Sequence, residues 1–310
     1  MKKILLEKLA DGKFVSGEEM AETFGVSRTA VWKTVNALRE DGFVIDAVRS
    51  QGYRISPDNN KLAPELIGGK IIVLDEVNST NDYAKKLASD GAENGTAVLA
   101  EYQSGGKGRM GRTFVSPKSK GLYMSVILRP NFDVKYAPLI TSAVAVAVAQ
   151  AIEQLAECSV QIKWVNDIYL NNRKICGILT EASLGLEYSS LDYAVVGIGI
   201  NVLSHDFGKL RSDVTTIQQE TGKKISRNML CHLILNNLHK IVPCIPEKAH
   251  LCEYRRREML TGKIISANVG NEQVSGKALG VDDNANLVVQ TNKGIMTLVS
   301  GEANLMRLKH

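Results

Sequence analysis

The sequence predicts an α+β protein with a mixed or antiparallel central sheet, a small helical domain before it and a small β-barrel after it. The 310 residues exceed one typical domain, and the 44% hydrophobic and 23% charged contents suit a soluble globular chain. Helical periodicity dominates residues 2–41, whereas short alternating runs recur after residue 262. Between these regions, strands and helices do not alternate regularly, which argues against a doubly wound sheet.

The N-terminal 55 residues predict a winged helix-turn-helix. Ser16 and Ser27 stand at expected helix N-caps, and Gly25 supplies the turn between the second and third helices. Strands at 44–48 and 52–55 form the wing. Such domains read DNA through the exposed face of one helix and through the wing. The predicted DNA-contacting residues are Ser27, Arg28, Thr29, Lys33, Asn36, Arg49 and Gln51.

The charge of this domain leaves a second interpretation open. Residues 1–60 contain nine basic and nine acidic side chains, so the domain as a whole is neutral. DNA affinity must therefore come from where the charges lie or from two copies of the domain. A module that contacts protein, or a vestigial one, is the alternative.

The remaining chain divides at one linker. Residues 56–64 are polar and contain two prolines, which predicts a boundary between a domain of residues 1–60 and one of residues 66–262. In the second domain we expect strands at 70–77, 160–164 and 193–200, a long helix at 136–157, two helices within 227–260 and a hairpin turn at Asn171 and Asn172. Residues 263–310 predict a barrel of SH3-like size, with strands at 264–269, 274–279, 287–290 and 295–299.

Residues 102–112 are the most unusual stretch, and read Tyr-Gln-Ser-Gly-Gly-Lys-Gly-Arg-Met-Gly-Arg. Glycine lets the backbone approach an anion and present its N–H groups, because no Cβ intervenes. Lys107, Arg109 and Arg112 add the positive charge that a phosphate or carboxylate needs away from water. We therefore predict a loop that encloses a polyanion; a basic, flexible surface loop is the alternative.

Three further clusters would not indicate a function if each stood alone. Ser79-Thr80-Asn81 has the composition of a helix cap, and Lys163-Trp164-Val165-Asn166-Asp167 that of a strand end with a turn. Lys174 precedes an apolar run at 175–179 and, alone, would be a solvated lysine. A Gly-x-Gly-x-Asn pattern ends the strand that reaches Asn201.

In this order and spacing, however, the chain resembles biotin–protein ligases of the bifunctional kind, which also repress biotin genes. The glycine-basic loop and the Lys163–Asp167 cluster are its most specific markers, and the resemblance covers essentially the whole chain. It implies a catalytic domain with the biotin–lipoate ligase fold, similar to class II aminoacyl-tRNA synthetases. It also implies that biotin attacks the α-phosphate of ATP to give biotinyl-5′-AMP, and that a lysine of a biotin carboxyl carrier protein then displaces AMP. Operator DNA, an adenylate-bound homodimer and Mg²⁺ are the other implied partners.

The resemblance assigns roles residue by residue. The implied catalytic residues are Arg109, Lys174, Lys163 and Asp167. The implied biotin contacts are Ser79, Thr80, Asn81, Gln103, Gly106, Lys107, Gly108, Arg109, Tyr123, Ser125, Lys174 and Gly177. The implied nucleotide contacts are Arg109, Arg112, Phe114, Lys163, Asn166 and Asn201, with Asn166 and Asp167 near Mg²⁺. We also expect residues 104–112 to be mobile without ligand and to order over biotin or the adenylate.

The chain departs from the family pattern at four positions. Lys107 stands for the usual arginine, Phe114 for a common tryptophan and Val165 for a common proline. Asn286 stands where glycine is common, and asparagine can hold a left-handed conformation there at modest cost. None of these changes removes a group that the reaction requires. The competing interpretations are a lipoate–protein ligase and a ligand-sensing regulator without ligase activity.

Composition also bears on location. The five cysteines show neither close pairing nor metal-ligand spacing, which favours free thiols in a reducing compartment. The first ten residues read as a charged amphipathic helix, not a signal peptide, and the apolar run at 139–151 is too short for a membrane span. We expect a cytoplasmic protein.

Overall fold

The structure is a computed structural model that describes residues 1–184, 191–207, 213–269 and 272–306. The N-terminal part is the predicted winged helix-turn-helix. Ser16 Oγ accepts a hydrogen bond from the Glu19 N–H at 3.0 Å, and Gly25 adopts φ +63° where the second helix ends. Its elements are Lys2–Leu9 (α1), Gly17–Phe24 (α2), Arg28–Glu40 (α3), Ile45–Val48 (β1) and Gly52–Ile55 (β2).

The central domain is built on a mixed sheet, as the sequence predicts. Its strands are Ile71–Val77 (β3), Ala97–Gln103 (β4), Gly121–Leu128 (β5), Gln161–Lys163 (β6), Asp167–Leu170 (β7), Arg173–Leu184 (β8) and Leu191–Asn201 (β9). The described strands lie in the order β3-β4-β5-β9-β8-β7-β6, with β3 parallel to β4 and the other neighbours antiparallel. Asn171 and Asn172 take φ +50° and +61° between β7 and β8, which confirms the predicted hairpin turn.

Helices cover this sheet. They are Pro64–Ile67 (α4), Thr80–Ser89 (α5), Ile140–Ala156 (α6), Ile217–Thr221 (α7), Arg227–Ile241 (α8) and His250–Arg257 (α9). The long predicted helix begins as a 3₁₀ turn, Val134–Leu139, because Pro138 has no N–H to give to an α-helical hydrogen bond. By length and composition the segment Val134–Ala156 would span a membrane, but 72% of its most apolar window is buried inside the fold. It is the core helix of the sheet.

The predicted polar linker is partly a packed element. Leu62 joins the hydrophobic core of the central domain, and Ala63 joins that of the helix-turn-helix. The Ala63 N–H donates to Asn228 Oδ1 at 3.0 Å, and Asn60 Nδ2 donates to the Ser119 carbonyl at 2.8 Å. These contacts hold the two domains together at residues 60–63, a feature that the polar composition does not reveal.

The C-terminal part is a small antiparallel sheet of the predicted size. Its strands are Ile264–Val269 (β10), Glu272–Val281 (β11), Leu287–Thr291 (β12), Gly294–Leu298 (β13) and Glu302–Leu305 (β14), in the order β13-β12-β11-β10-β14. The left-handed residue of this turn is Ala285, with φ +59°, so Asn286 does not use the left-handed conformation open to it. Asn286 instead hydrogen-bonds Asp282 through its N–H and its Nδ2, which keeps it in the turn without positive φ.

Candidate functional site

A cavity of about 430 Å³ opens at the end of the central sheet where β4, β7 and β9 deliver their polar residues. The loop after β4 covers it, and the edge of β14 borders it through Gly301 and Glu302. The predicted residues that line it are Ser79, Thr80, Asn81, Gln103, Lys107, Gly108, Arg109, Arg112, Phe114, Lys163, Asn166, Asp167, Lys174, Gly177 and Asn201. The fold thus brings together four clusters that are well separated along the chain.

One wall of the cavity is an uncharged hydrogen-bond chain. Gln103 Oε1 accepts from the Thr80 N–H at 2.8 Å and from Thr80 Oγ1 at 3.0 Å. Gln103 Nε2 donates to Ser116 Oγ at 2.9 Å, and Ser116 Oγ donates to the Phe114 carbonyl at 3.2 Å. Each hydrogen bond in this chain fixes which group donates and which accepts in the next one, so the polar groups of the wall have one fixed orientation.

Two glycines of β9 explain the Gly-x-Gly-x-Asn pattern by steric space. A Cβ on Gly197 would overlap Asn81 Oδ1, and one on Gly199 would lie 2.6 Å from the ring of Phe114. Asn81 is further held by Glu181, whose Oε2 accepts from Asn81 Nδ2 at 2.8 Å. Because glycine has no Cβ, Asn81 and Phe114 can pack directly against the backbone of β9.

The glycine-basic loop is attached to three different elements. Lys107 Nζ lies 2.7 Å from the Asp82 carboxylate on α5, and Arg109 Nη1 donates to Asn166 Oδ1 at 2.8 Å. Arg112 pairs with Glu302 on β14, where Nη1 donates to Oε1 at 2.9 Å. This hydrogen bond and its charge lower the pKa of the Glu302 carboxyl. Lys107, which stands where the family usually has arginine, therefore joins the loop to α5 through its ammonium group.

Cationic side chains, with carboxylates beside them, form another wall of the cavity. Lys174 Nζ and Asp167 Oδ1 are 2.7 Å apart on neighbouring strands, and Lys163 Nζ donates to Asn304 Oδ1 at 2.8 Å. Burial lowers the pKa of Lys163, and the nearby carboxylates of Asp167 and Glu302 oppose that shift. Asn201 Oδ1 is buried and has no hydrogen-bond partner within the described ranges. An unpaired acceptor of this kind is costly unless a ligand completes it.

Three of the implied biotin contacts lie behind the wall. Tyr123 and Ser125 are fully buried in β5, and Gly106 is buried beneath Phe114, whose N–H donates to the Gly106 carbonyl at 2.9 Å. Ser125 Oγ lies 2.8 Å from Thr80 Oγ1 and 2.6 Å from Asn81 Oδ1, and can donate its one proton to either. Tyr123 and Ser125 thus support the lining residues from β5, and the contacts of all three residues with biotin stay predictions.

Other residues of the site were not predicted. Glu302 and Asn304 come from the C-terminal domain, and Asp213 and Val214 line the cavity from the segment before α7. Ser116 and Glu181 position lining residues without reaching the cavity themselves. Hydrophobic periodicity could not predict these contacts, because each one forms between two segments that are distant in the sequence.

The predicted DNA-contacting face is accessible. Ser27, Arg28, Thr29, Lys33, Arg49 and Gln51 are exposed, whereas Asn36 is half-buried and accepts from Arg39 Nη1 at 3.4 Å. Trp32 on the same helix is 54% exposed and was not predicted. The face combines cations, amides and one large aromatic ring, which are groups that contact phosphates and base edges.

Three family models match the chain in the order of its domains. The model described as the biotin/lipoate A/B protein ligase family matches residues 73–201. An HTH domain model matches residues 2–54, and the biotin protein ligase C terminal domain matches residues 261–306.

Whole-length relatives show the same arrangement. The bifunctional ligase/repressor BirA of Bacillus subtilis is 35% identical, with 96% of this chain and 95% of that protein covered. The Escherichia coli protein of the same description is 28% identical over 97% and 96% of the two chains. Among solved structures, the biotin protein ligase from Aquifex aeolicus in complex with biotin and ATP is 29% identical. It has a TM-score of 0.65 and covers 78% of this chain and 100% of that one.

Proposed function

The chain belongs to the biotin/lipoate A/B protein ligase family, and we propose that it joins biotin to a lysine of a carrier protein in two steps, the first of which consumes ATP. The observation that carries this proposal is the pairing of two unlike walls in one cavity. Thr80 and Gln103 present neutral donors and acceptors, while Arg109, Lys163 and Lys174 present cations. Biotin needs the first wall for its ureido ring, and two reacting anions need the second.

In the first step, a carboxylate oxygen of biotin attacks the α-phosphorus of ATP. A carbon–oxygen–phosphorus anhydride forms, the bond from the α-phosphorus to the bridging oxygen breaks, and pyrophosphate leaves. Repulsion between the two anions is the first obstacle. We assign Arg109 and Lys174 to offset it, because both line the cavity and are held in place by neighbours, Asn166 and Asp167.

In the second step, the neutral amine of the carrier lysine attacks the acyl carbon of biotinyl-5′-AMP. An amide bond forms, and AMP leaves with the electron pair of the broken carbon–oxygen bond. The amine nitrogen must lose a proton. We assign Asp167 as the acceptor, since it is the carboxylate that faces Lys174 in the cavity wall.

Biotin's aliphatic chain requires apolar surface beside the polar groups. Met124, Ile178, Leu179 and Ile198 line the same cavity as Thr80 and Gln103. We assign the ureido ring to Thr80 and Gln103, and Phe114 with Asn201 to the adenylate base and ribose side. A cavity with apolar walls and a few fixed polar groups is the usual form of a small-molecule site.

Mg²⁺ would bind chiefly to the phosphates of ATP, which supply most of its oxygen ligands. Among the described residues, no cluster of three or more His, Cys, Asp or Glu side chains could hold a metal alone. Asp167 fits as a single carboxylate ligand. Asn166 fits less well, because its Oδ1 accepts from Arg109 and its Nδ2 donates to the Ile178 carbonyl. Bound Mg²⁺ would neutralise phosphate charge during adenylation.

The test of the ligase is direct. Purified protein is incubated with MgATP and biotin, and acyl-AMP is followed by mass; a carrier domain is then added and its mass gain measured. Arg109→Ala should abolish biotinyl-AMP formation, whereas Arg256→Ala, which removes an exposed arginine of α9, should not. Formation of lipoyl-AMP in place of biotinyl-AMP would identify a lipoate ligase. Biotin binding without pyrophosphate exchange into ATP would identify a sensor.

We further propose that the adenylate-bound protein represses biotin genes as a dimer on operator DNA. The accessible face of α3 and the wing support DNA contact, and a winged helix commonly works as a pair on two half-sites. DNA selected from a random pool should bind more tightly with biotinyl-AMP present, and Arg28→Ala should remove that binding. An unchanged monomer fraction in sedimentation with and without biotinyl-AMP would rule out ligand-linked dimerisation.

We place both activities in the cytoplasm. All five cysteines are free thiols, and Cys244 and Cys252 are exposed, which suits a reducing compartment. ATP and DNA are also available there. Fractionation of cells that express the tagged full chain tests this assignment.

A further inference from the structure

A second cavity of about 570 Å³ lies away from the ligase site, between the turn after α4, the end of β5 and the C-terminal half of α8. The two cavities share no described lining residue. The second cavity is therefore not an extension of the first. Its size falls in the range of small-molecule sites in proteins.

The floor of this cavity is apolar. Its side chains come from α4, β5, α8 and the 3₁₀ turn that follows α8: Ile67, Val126, Leu128, Leu235, Leu238 and Val242. Phe132 and Pro130 extend the apolar surface to one side. The apolar side chains of this floor suit an aliphatic chain.

The polar groups of the rim are basic or neutral. Lys70, Arg129, His232 and His239 line the cavity, and none of its described lining residues is acidic. His232 is committed to the floor: its Nδ1 donates to the Ile67 carbonyl at 2.7 Å, so its Nε2 accepts from Asn236 at 2.8 Å. The Arg129 guanidinium is likewise engaged, by the Ala92 carbonyl at 2.9 Å and by Asp192.

Lys70 is the rim cation that can change partner. It pairs with Glu93, which lies outside the cavity lining, and both side chains are mostly exposed. Exposed ion pairs of this kind contribute little to stability, so an incoming carboxylate can replace Glu93 at small cost. His239, exposed at the same rim, adds a second donor.

We propose that this cavity binds an aliphatic monocarboxylate of medium chain length, with its chain on the floor and its carboxylate at Lys70 and His239. The lining matches both parts of such a molecule and disfavours a cation. The site is separate from the ligase cavity, because the two have no lining residue in common among the described residues.

Calorimetric titration of the full chain, with biotin and a non-hydrolysable ATP analogue saturating the ligase site, tests the proposal. The probes are octanoate, nonanoate, decanoate, decanol and decyltrimethylammonium. Each added methylene from octanoate to decanoate should tighten binding about fourfold. Decanoate should bind more tightly than decanol, and decyltrimethylammonium least. Loss of decanoate binding when biotin is added would overturn the proposal, because the probe would then occupy the ligase site.

Two pairs of variants locate the binding. Leu235→Trp should fill the cavity and weaken decanoate at least tenfold, whereas Leu233→Trp, two residues away on α8 and outside the lining, should not. Lys70→Glu should weaken decanoate but leave decanol unchanged, and Lys118→Glu, an exposed lysine elsewhere, should change neither. Equal decanoate affinity in wild type, Leu235→Trp and Lys70→Glu would disprove this site even if some binding were observed.

Discussion

Arg227 and Glu101 form a buried ion pair, with Nη2 and Oε2 2.7 Å apart and side-chain exposures of 1% and 11%. Arg227 also donates from Nε to Asn60 Oδ1 at 2.7 Å and from Nη1 to the Gly121 carbonyl at 3.0 Å. Glu101 accepts from the Leu62 N–H at 3.2 Å. One pair thus joins the interdomain linker to β4 and β5, the two strands that flank the glycine-basic loop.

Arg227→Met should destabilise the protein by about 3–5 kcal/mol, because it leaves the Glu101 carboxylate buried without its partner. The double variant with Glu101→Gln should recover part of this loss, since no buried charge remains. Urea denaturation measures both. Lys223→Met, which removes an exposed pair with Glu157, is the control and should show no measurable change. Equal losses in the single and double variants would mean that the cost is in packing.

Gly197→Ala and Gly199→Ala should weaken the binding of different substrates. The new Cβ at residue 197 would displace Asn81 beside the neutral wall, so the KM for biotin should rise about tenfold or more. The Cβ at residue 199 would push Phe114, so the KM for ATP should rise instead. Initial-rate measurements with each substrate varied in turn separate the two, and each variant is the control for the other. A common loss of both affinities would indicate general distortion of β9.

Lys174→Met should lower kcat for biotinyl-AMP formation about 100-fold or more, because a cation that faces two anions is removed. Biotin affinity, carried mainly by the neutral wall, should change far less. Biotin-dependent pyrophosphate exchange gives kcat, and calorimetry gives the affinity. A variant with normal exchange but a defective transfer to the carrier would move Lys174 to the second step.

Trypsin should cut the ligand-free protein within residues 104–112, because the loop is held chiefly by half-exposed polar contacts at Lys107, Arg109 and Arg112. Saturating biotin and MgATP should suppress that cut at least tenfold as the loop closes over the adenylate. Cleavage sites are read by mass spectrometry. Cleavage near Arg109 at the same rate with both ligands present would contradict the predicted ordering.

Acid should weaken the fold through His250. Burial lowers the pKa of His250 to about 4, whereas an unfolded histidine titrates near 6.5. Between these values the unfolded chain binds a proton that the folded chain excludes, so stability falls as pH drops from about 6.5 to about 4. The loss from this group is about 3 kcal/mol at its limit. His250→Gln removes the titrating ring that contacts Ser142 but keeps a polar side chain, and should show a shallower decline of the urea midpoint over that range. An identical decline would exclude His250 as the source.

Local chemistry determined much of this protein from its sequence. Caps such as Ser16, breakers such as Gly25 and the paired Asn171 and Asn172 act within a few residues, so their outcome follows from neighbouring residues alone. The glycine-basic loop and the Lys163–Asp167 cluster also indicated the ligase family, because the spacing of reactive groups can be read directly from the sequence. Four separated clusters duly line one cavity.

Only the tertiary structure decided which distant groups meet. Glu302 and Asn304 reach Arg112 and Lys163 across 190 and 141 residues, and no periodicity encodes such a distance. The same is true of the pairing of Arg227 with Glu101, and of the complete burial of Tyr123 and Ser125 in β5. The physical reason is that the burial of a side chain and its bonding partner depend on the packing of the entire fold. The residue type determines which bonds a side chain can form, and the fold determines which groups lie close enough to form them.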